Sequence, residues 1–281
     1  MDVYLSDPQV LTLPDLTIVY KLCFKTRTDL KRNKMKALIR SYLQKTLGFK
    51  YYLSLFSLYK IYSIRIDKKE KDFLQFLKLI PEKGLILDIG ANIGLTCVTL
   101  ARHRPEATVF AYEPIPQNLR ILNRNIKKFH LKNTKVFPLA LGDENKMIDM
   151  VMPMVNSAKM QGLCHVIHEH MPKRSEGIYF NVPVKTLDSL FEDSANEEPV
   201  IALKIDVEHF EWAVLEGAKN LLKRYKPLVY CELAENENRV KSFELLTSLG
   251  YTAKMVHKGQ LINYDPGSGS VDNFIFMPPA A

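Results

Sequence analysis

The chain of 281 residues is 47% hydrophobic and 25% charged, an ordinary globular composition that can bury a full core. Its net charge of +8 is uneven, because residues 21–50 hold ten Lys and Arg but one acid, Asp29, and the rest of the chain is close to neutral. This distribution argues against a nucleic-acid-binding surface spread over the whole protein.

Cysteine usage and hydropathy predict an intracellular, soluble protein, and we expect a cytoplasmic location. The start of the chain has acidic residues and a proline where a secretory signal needs an apolar run. No stretch reaches the roughly 18 to 20 uncharged apolar residues of a membrane-spanning helix, and the closest, residues 51–64, contains Lys60. Four scattered cysteines form no CxxC pair and are expected to be reduced: Cys23, Cys97, Cys164 and Cys231.

Residues 1–68 are predicted to form a basic helical extension. Apolar residues recur at spacings of three and four over residues 35–47, which predicts an amphipathic helix that ends at Gly48. An aromatic stretch follows at 51–64, and a second helical pattern covers 73–80. The second of these patterns already belongs to the main domain.

Residues 69–281 are predicted to form an α/β domain, because strands alternate with helices from residue 85 onward. This alternation is typical of a parallel sheet covered on both faces. It lapses once, where two extra strands bracket a polar loop at 155–179. The predicted sheet strands cover residues 85–90, 107–114, 134–141, 200–208 and 227–233, followed by two closing strands near 251–256 and 272–278.

The first predicted strand ends in a turn with the spacing Asp88-x-Gly90-x-Asn92-x-Gly94. Such a turn places backbone N–H groups and a helix N-terminus beside a ligand. The spacing is not the GxGxxG of dinucleotide sites, and a carboxylate at Asp88 would repel a pyrophosphate. S-adenosylmethionine (SAM) is cationic at its sulfonium and amine and has no phosphate. The turn therefore predicts SAM as the ligand.

The next two strand ends support the same ligand. Glu113 lies 25 residues after Asp88, at a strand end where a carboxylate can accept hydrogen bonds from both ribose hydroxyls. Gly142 and Asp143 follow the third strand, where they would border the adenine. The predicted cofactor-binding residues are Asp88, Gly90, Ala91, Asn92, Gly94, Glu113, Pro114, Gly142 and Asp143.

Six segments resemble the FkbM family of class I SAM-dependent methyltransferases over about residues 70 to 278. They read LDIGANIGLT, AYEPIPQNLRILNRNI, ALGDEN, VKTLDSL, LKIDVEHFEWAVLEGA and NFIFMP, and the most specific is KIDVE at 204–208, followed by Glu211. The resemblance implies a Rossmann-like seven-stranded sheet of order 3-2-1-4-5-7-6, with helices on both faces. It also implies methyl transfer, typically to a hydroxyl of a sugar or natural product. His209 stands where the family usually has glycine, which indicates an altered substrate face.

The fourth predicted strand carries the candidate chemistry. Methyl transfer needs the acceptor held in line with the methyl group, and a hydroxyl acceptor also benefits from a base. Asp206 is predicted to face the methyl group and the acceptor, with Glu208 or His209 as the base and Lys204 on the same side of the strand. Glu211 has two readings that the sequence leaves open, a helix-capping acid or a functional one.

Two metal hypotheses were considered, and neither is favoured. Asp206 and Glu232 could bind Mg²⁺, but two oxygen ligands are too few to specify a hard cation. The segment CHVIHEH at 164–170 has the ligand types of a zinc site without its paired spacing. We expect that segment to belong to an acceptor pocket or lid, and no metal is predicted.

The basic arm and the acceptor leave alternatives open. Residues 21–64 could contact an anionic membrane or acceptor, or could form a helical cap whose lysines are solvated. A small-molecule or glycan acceptor is expected, with its specificity in loop 155–179 and the arm. A nucleic-acid methyltransferase is less favoured, because DVEH stands where amino-group base methylation often uses an Asn-Pro-Pro-Tyr type tetrapeptide. A catalytically silent SAM-binding or partner-binding module is the third possibility.

Overall fold

The computed structural model describes residues 29–167, 176–192, 198–267 and 271–279. Two short 3₁₀ helices, Lys68–Glu70 and Gln161–Leu163, accompany the α-helices of these ranges. The α-helices described there are α1 (Asp29–Leu47), α2 (Phe49–Ser63), α3 (Lys71–Leu79), α4 (Leu95–His103), α5 (Pro116–Lys128), α6 (Leu187–Phe191), α7 (Glu211–Glu216), α8 (Lys219–Tyr225) and α9 (Glu237–Ser248).

The strands form one large sheet and one small one. The described strands are β1 (Leu85–Ile89), β2 (Thr108–Tyr112), β3 (Thr134–Phe137), β4 (Ala140–Leu141), β5 (Lys146–Val155), β6 (Ala158–Lys159), β7 (His165–Val166), β8 (Gly177–Lys185), β9 (Val200–Ile205), β10 (Leu228–Glu232), β11 (Thr252–His257), β12 (Gln260–Asn263) and β13 (Asn273–Met277).

The large sheet has eight strands in the order β12-β11-β13-β10-β9-β1-β2-β3. Read from β3, its first seven strands follow the predicted order 3-2-1-4-5-7-6. Strands β3, β2, β1, β9 and β10 are parallel neighbours, whereas β13 is antiparallel to both β10 and β11. The α/β fold class predicted from the sequence is confirmed.

The predicted count of seven strands is wrong by one, because β12 pairs antiparallel with β11 at the sheet edge. The two strands are joined through Lys258 and Gly259, which have φ of 49° and 80°. Positive φ at both central residues is the geometry of a two-residue hairpin turn whose twist matches the flanking strands. The Lys-Gly pair was a sequence signal for this hairpin.

The predicted third strand at 134–141 is divided between the two sheets. Its first part, β3, joins the large sheet, and its last two residues, β4, pair with β8 in the small sheet. Pro138 lies between them, and proline has no N–H to continue a ladder. The small sheet has the order β4-β8-β5-β6, with β7 paired to β5, so part of the predicted loop 155–179 is strand. Residues 168–175 of that loop lie outside the described ranges.

Helices cover both faces of the large sheet, as predicted. One buried cluster includes Leu87, Val214 and Leu222, from β1, α7 and α8. The cluster on the opposite face includes Phe76 and Leu100, from α3 and α4. Each strand of the sheet centre is therefore buried on both sides, which holds the strand ends in fixed positions.

The helices of the extension pack on the α/β domain. Tyr52 and Leu53 of α2 form a buried cluster with Ile93 and Ile121. Gln44 of α1 exchanges two hydrogen bonds with the backbone of Lys159 in β6, at 3.0 and 2.9 Å. The aromatic stretch at 51–64 is part of α2, and Gly48, with φ of 73°, separates α1 from α2. The division at residue 68 stays a prediction, and the first 28 residues of the extension lie outside the described ranges.

No helix among the described residues is long and apolar enough to cross a membrane.

Candidate active site

The turn after β1 is wedged between the ends of the two neighbouring strands. Gly90, Asn92 and Gly94 have φ of 75°, 49° and 91°, so the spacing of the predicted motif follows a left-handed backbone at alternate positions. The N–H groups of Gly90 and Ala91 both donate to the carbonyl of Tyr112, at 3.0 Å. A Cβ on Gly90 would lie 2.0 Å from the carbonyl oxygen of Asp206. Only glycine fits there, and the turn is held close to β9.

Asp88 lies beneath this turn, and its side chain is fully buried. It accepts a hydrogen bond from the Thr96 hydroxyl at 2.8 Å, and its other oxygen is 3.4 Å from the Lys204 ammonium. Because the side chain is fully buried, Asp88 does not line either cavity beside the turn. The structure therefore gives Asp88 the position of a support for the turn, and not that of an open charge facing a cationic ligand.

Lys204 is the cation that ties the turn to β9. Its ammonium donates to the carbonyls of Gly90, at 2.9 Å, and Ile89, at 3.3 Å. Burial by itself lowers the pKa of Lys204, but the carboxylates of Asp88 and Asp206 together raise that pKa by a larger amount, so the net shift is upward. Lys204 is 2% exposed and stays protonated. It has a structural role in the buried ion pair, and it also lies next to the predicted site.

Glu113 joins the turn to the start of α5. Its carboxylate accepts from the N–H groups of Asn92 and Ile115, both at 2.8 Å, and from the Asn118 amide at 3.3 Å. Burial raises the pKa of Glu113 to about 7, although its hydrogen-bond donors oppose that shift. The side chain and its neighbour Pro114 line the cleft, at the end of β2 as predicted.

A cleft of about 670 Å³ lies over the turn and the ends of β1, β2 and β9. The walls beyond the turn are mainly apolar, which suits a flat aromatic base. Gly142 and Asp143 are not among its lining residues, since Gly142 packs against Phe210 and Val184 and Asp143 faces another groove. The division of the third strand at Pro138 explains the difference. Residues that the sequence did not single out line the cleft instead: Ile115, Asn118, Leu139, Ala140, Leu141, Met150, Gln161, Val166 and Phe210.

Three buried side-chain oxygens in this cleft have no hydrogen-bond partner among the residues that the structure describes. They are Asn92 Oδ1, Asn118 Oδ1 and Gln161 Oε1, and all three residues line the cleft. A buried acceptor without a donor costs about 1–3 kcal/mol, so it commonly marks the place of a ligand or water. The cleft therefore presents acceptors to a ligand that carries N–H or O–H donors.

The loop after β9 has an unusual backbone. Glu208 and His209 have φ of 53° and 75°, so two consecutive residues other than glycine are left-handed. The carboxylate of Glu211 accepts from the N–H groups of Val207, at 3.2 Å, and His209, at 3.1 Å. Glu211 is 4% exposed and secures this loop, a structural role in which it accepts from N–H groups of the loop that precedes α7.

The structure brings Asp206 and Glu208 together on the cleft. The Asp206 side chain is 38% exposed and 3.6 Å from the Lys204 ammonium. Burial raises the pKa of Glu208 to about 8, and the nearby carboxylates of Asp206, Glu232 and Glu211 add to that shift. His209 does not join them, because it lines a separate groove together with Asp143 and Trp212.

A larger cavity, of about 1610 Å³, opens on the other side of Asp206. It shares Gly90, Asn92 and Asp206 with the cleft, so the two spaces meet at the turn. One wall comes from α1, α2 and the first 3₁₀ helix, and another from residues 160–163. The basic arm and the loop at 155–179, where acceptor specificity is predicted to lie, both border this cavity.

No group of three or more His, Cys, Asp or Glu is placed to hold a metal ion within the ranges that the structure describes. Asp206 and Glu232 both line the larger cavity, at the ends of β9 and β10. Residues 168–170 of the segment considered for zinc, 164–170, lie outside the described ranges. The cysteines described, Cys97, Cys164 and Cys231, are free thiols.

The strand order, the glycine turn and the cleft over three strand ends define a Rossmann-like protein of the methyltransferase type. The model of the family "Methyltransferase FkbM domain" matches residues 88–255, which is more than half of the chain. The chain belongs to this family, as the resemblance of its motifs predicted.

Two curated relatives show the extent of the similarity. Methyltransferase 1 of Beauveria bassiana is 28% identical over 150 residues, which are 49% of this chain and 59% of that protein. The 2-O-methyltransferase NoeI of Sinorhizobium fredii is 27% identical over 159 residues, which are 54% of this chain and 64% of NoeI. The matches thus span less than two thirds of either relative.

Among solved structures, the FkbM methyltransferase of Methylobacillus flagellatus superposes with a TM-score of 0.48 and 13% sequence identity. That superposition covers 94% of this chain and 59% of the other.

Proposed function

We propose that this chain is a SAM-dependent O-methyltransferase that acts on a hydroxyl of a sugar, a glycan or another small natural product. One observation carries the proposal: the glycine-turn cleft and the larger cavity meet at Asp206, with Glu208 beside it on the cleft. A cofactor in the cleft and an acceptor in the cavity would therefore have their reacting groups at the same carboxylates. Membership of the FkbM family and the name of the relative NoeI support transfer to a hydroxyl oxygen.

The residues of the cleft fit SAM. The amine, the adenine amino group and the ribose hydroxyls of SAM are donors, which match the partnerless oxygens of Asn92, Asn118 and Gln161. Glu113 lies where it can accept from the ribose, and the apolar wall near Leu139 and Leu141 suits the adenine. The bare backbone at Gly90 allows close approach of the ligand. When bound, SAM supplies the electrophilic methyl group.

Glu208 is the base of the proposed reaction. A base works best when its pKa lies near the working pH, and the pKa of Glu208 is raised to about 8. Its carboxylate accepts the proton of the acceptor hydroxyl as the oxygen becomes nucleophilic. Asp206, whose carboxylate lies 3.6 Å from the Lys204 ammonium, accepts a hydrogen bond from a neighbouring hydroxyl of the acceptor and so orients the acceptor. Orientation contributes strongly, because in-line displacement depends on alignment of the reacting atoms.

The test measures methyl transfer to a panel of hydroxylated sugars by mass spectrometry, over a range of pH. Activity should rise with pH through about 8, because the base must be deprotonated and its pKa is raised to about 8. Glu208→Gln should lose roughly 100-fold or more in kcat and also lose that rise, and Asp206→Asn should bind SAM but turn over slowly. The exposed helix residue Glu244, changed to Gln, is the matched control and should leave the profile unchanged.

Two outcomes would contradict the proposal. A Glu208→Gln variant with an unaltered pH profile would remove Glu208 as the base. Binding of SAM without transfer to any acceptor of the panel would favour the catalytically silent module.

A further inference from the structure

The larger cavity is lined by both acidic and basic side chains, which come from different elements. At the strand ends, Asp206 and Glu232 contribute carboxylates, close to the site of the proposed reaction. Another wall comes from α1, α2 and the first 3₁₀ helix, which contribute Arg40, Lys60, Lys68 and Lys69 together with one carboxylate, Glu70. The wall from the extension therefore carries more cations than carboxylates, whereas the strand ends present the carboxylates beside which the hydroxyl would react.

Arg40 is held in place without being neutralised. Its Nη1 donates to Met160 Sδ at 3.1 Å, and its guanidinium carbon lies 5.9 Å from the centre of the Phe56 ring. Arg40 forms no ion pair with any residue of the described ranges. A sulfur atom and an aromatic face orient a guanidinium but do not cancel its charge. The group is pre-arranged for an anion that the described part of the chain does not supply.

The lysines on the same wall of the cavity differ in whether they form ion pairs. Lys60 is engaged, since its ammonium is 2.7 Å from Asp67 and 3.0 Å from Glu70. Lys68 and Lys69 are exposed at the rim and form no ion pair with the described residues. Because Asp67 and Glu70 are taken by Lys60, the positive charge of the rim remains available together with that of Arg40.

We propose that the acceptor carries an anionic group, a phosphate, sulfate or carboxylate, which binds at the Arg40 end while its hydroxyl lies at Asp206 and Glu208. This inference rests on the proposed methyl transfer, and it makes Arg40 a determinant of acceptor choice. Arginine binds such groups through two parallel N–H donors, which gives orientation as well as affinity. Lys68 and Lys69 would add charge at the rim, where screening by salt is strong.

The first experiment measures anion binding without any turnover. Inorganic sulfate is titrated into the purified chain, and thermal stability is followed by fluorescence at constant ionic strength, with chloride as the compensating ion. The wild type should gain stability with sulfate, and Arg40→Gln should gain about tenfold less at equal concentration. Lys45→Gln, an exposed residue of the same helix outside the cavity, is the matched control and should respond like the wild type.

The second experiment compares acceptors that differ only in their anionic group. The pairs are glucose with glucose 6-phosphate, glucose with glucuronate, and N-acetylglucosamine with its 6-sulfate, together with phosphatidylinositol in vesicles. We expect kcat/KM to be at least tenfold higher for an anionic member, and Arg40→Gln to remove that preference by raising KM while SAM affinity is unchanged. Transfer to the vesicle alone would identify a lipid headgroup as the source of the anion, and transfer in solution a soluble one.

The failures of the two proposals are distinguishable. Equal rates for neutral and anionic acceptors, with no effect of Arg40→Gln on either experiment, would overturn the anionic acceptor and leave the methyltransferase standing. A sulfate effect that is the same in Arg40→Gln as in the wild type would also overturn it. Absence of SAM binding would instead remove the proposed function.

Discussion

Two strand ends meet at the site, and their turns reach a left-handed backbone by different means. After β1, glycine occupies two of the three positions with positive φ, and Asn92, a residue type that tolerates this conformation, occupies the third. After β9, Glu208 and His209 take positive φ, and the buried carboxylate of Glu211 holds them there. The residue types of the first turn favour its conformation by themselves, whereas the conformation of the second turn depends on a tertiary contact.

The left-handed position after β1 serves close packing, whereas the one after β9 carries a functional group. At β1 the missing side chain of Gly90 leaves room for the backbone of β9, and the position carries no functional group. At β9 the strained position carries the carboxylate of Glu208, with its raised pKa, so backbone strain coincides with the proposed base. Strain of this kind is found at functional sites when surrounding contacts outweigh it. Substitutions in the turn after β1 should therefore have different consequences from substitutions in the turn after β9.

The largest effect is expected for the buried cation that joins the two turns. Lys204→Met leaves the carboxylate of Asp88 buried without its partner, which should cost about 3–5 kcal/mol of unfolding free energy. Denaturant titration measures it. Lys219→Met, which removes a partly exposed ion pair with Glu216, should change stability by less than about 1 kcal/mol. Adding Asp88→Asn to Lys204→Met should restore part of the loss, and a double variant no more stable than the single one would contradict the buried pair.

A smaller loss is expected at the glycine turn itself. Gly90→Ala places a Cβ against the carbonyl of Asp206 at a φ of 75°, and should cost about 2–3 kcal/mol and weaken SAM binding. Gly162→Ala is the matched control in the same cleft, because its nearest atom, Asn92 Nδ2, would be 3.9 Å away. Equal stability and SAM affinity of the two variants, measured by denaturation and calorimetry, would show that close packing is not what the turn requires.

The smallest effect is expected at the turn after β9, and it has the opposite sign. His209→Gly removes the side chain from a φ of 75° and should stabilise the protein by about 0.5–1 kcal/mol. His257→Gly, an exposed histidine at the end of β11, should instead destabilise by a similar amount. Thermal unfolding distinguishes the two. A loss of stability in His209→Gly would mean that the imidazole makes contacts that outweigh the strain.

Much of the fold could be predicted because it is written locally. The parallel sheet follows from buried strands that alternate with helices, and the first turn from its glycine spacing. The hairpin that adds β12 was missed, although Lys258 and Gly259 signal it. Residues 139–141 line the cleft in place of the predicted Gly142 and Asp143. The reason is that a proline divides what otherwise looks like a single third strand.

The sequence predicts where the candidate site lies better than it predicts the contacts of the residues in it. Asp206 and Glu208 lie on the cleft as the sequence indicated, but His209 does not, because the left-handed loop directs it to another groove. No sequence pattern reveals that Asp88 is neutralised by Lys204, since the pairing of β1 with β9 depends on the sheet. The place of Arg40 in the cavity was equally hidden. It depends on how α1 packs, and one basic residue among ten looks like any other.

The central claim is that the glycine-turn cleft binds SAM, and calorimetric titration of the purified chain tests it most directly. SAM and NAD are titrated separately into the wild type and into Glu113→Ala. Micromolar binding of SAM, no response to NAD, and a loss of about 1–3 kcal/mol in Glu113→Ala are the predicted results, since charged hydrogen bonds to the ribose are removed. Absence of SAM binding, or binding unaltered in Glu113→Ala, would contradict the cofactor assignment or the place of Glu113 in it.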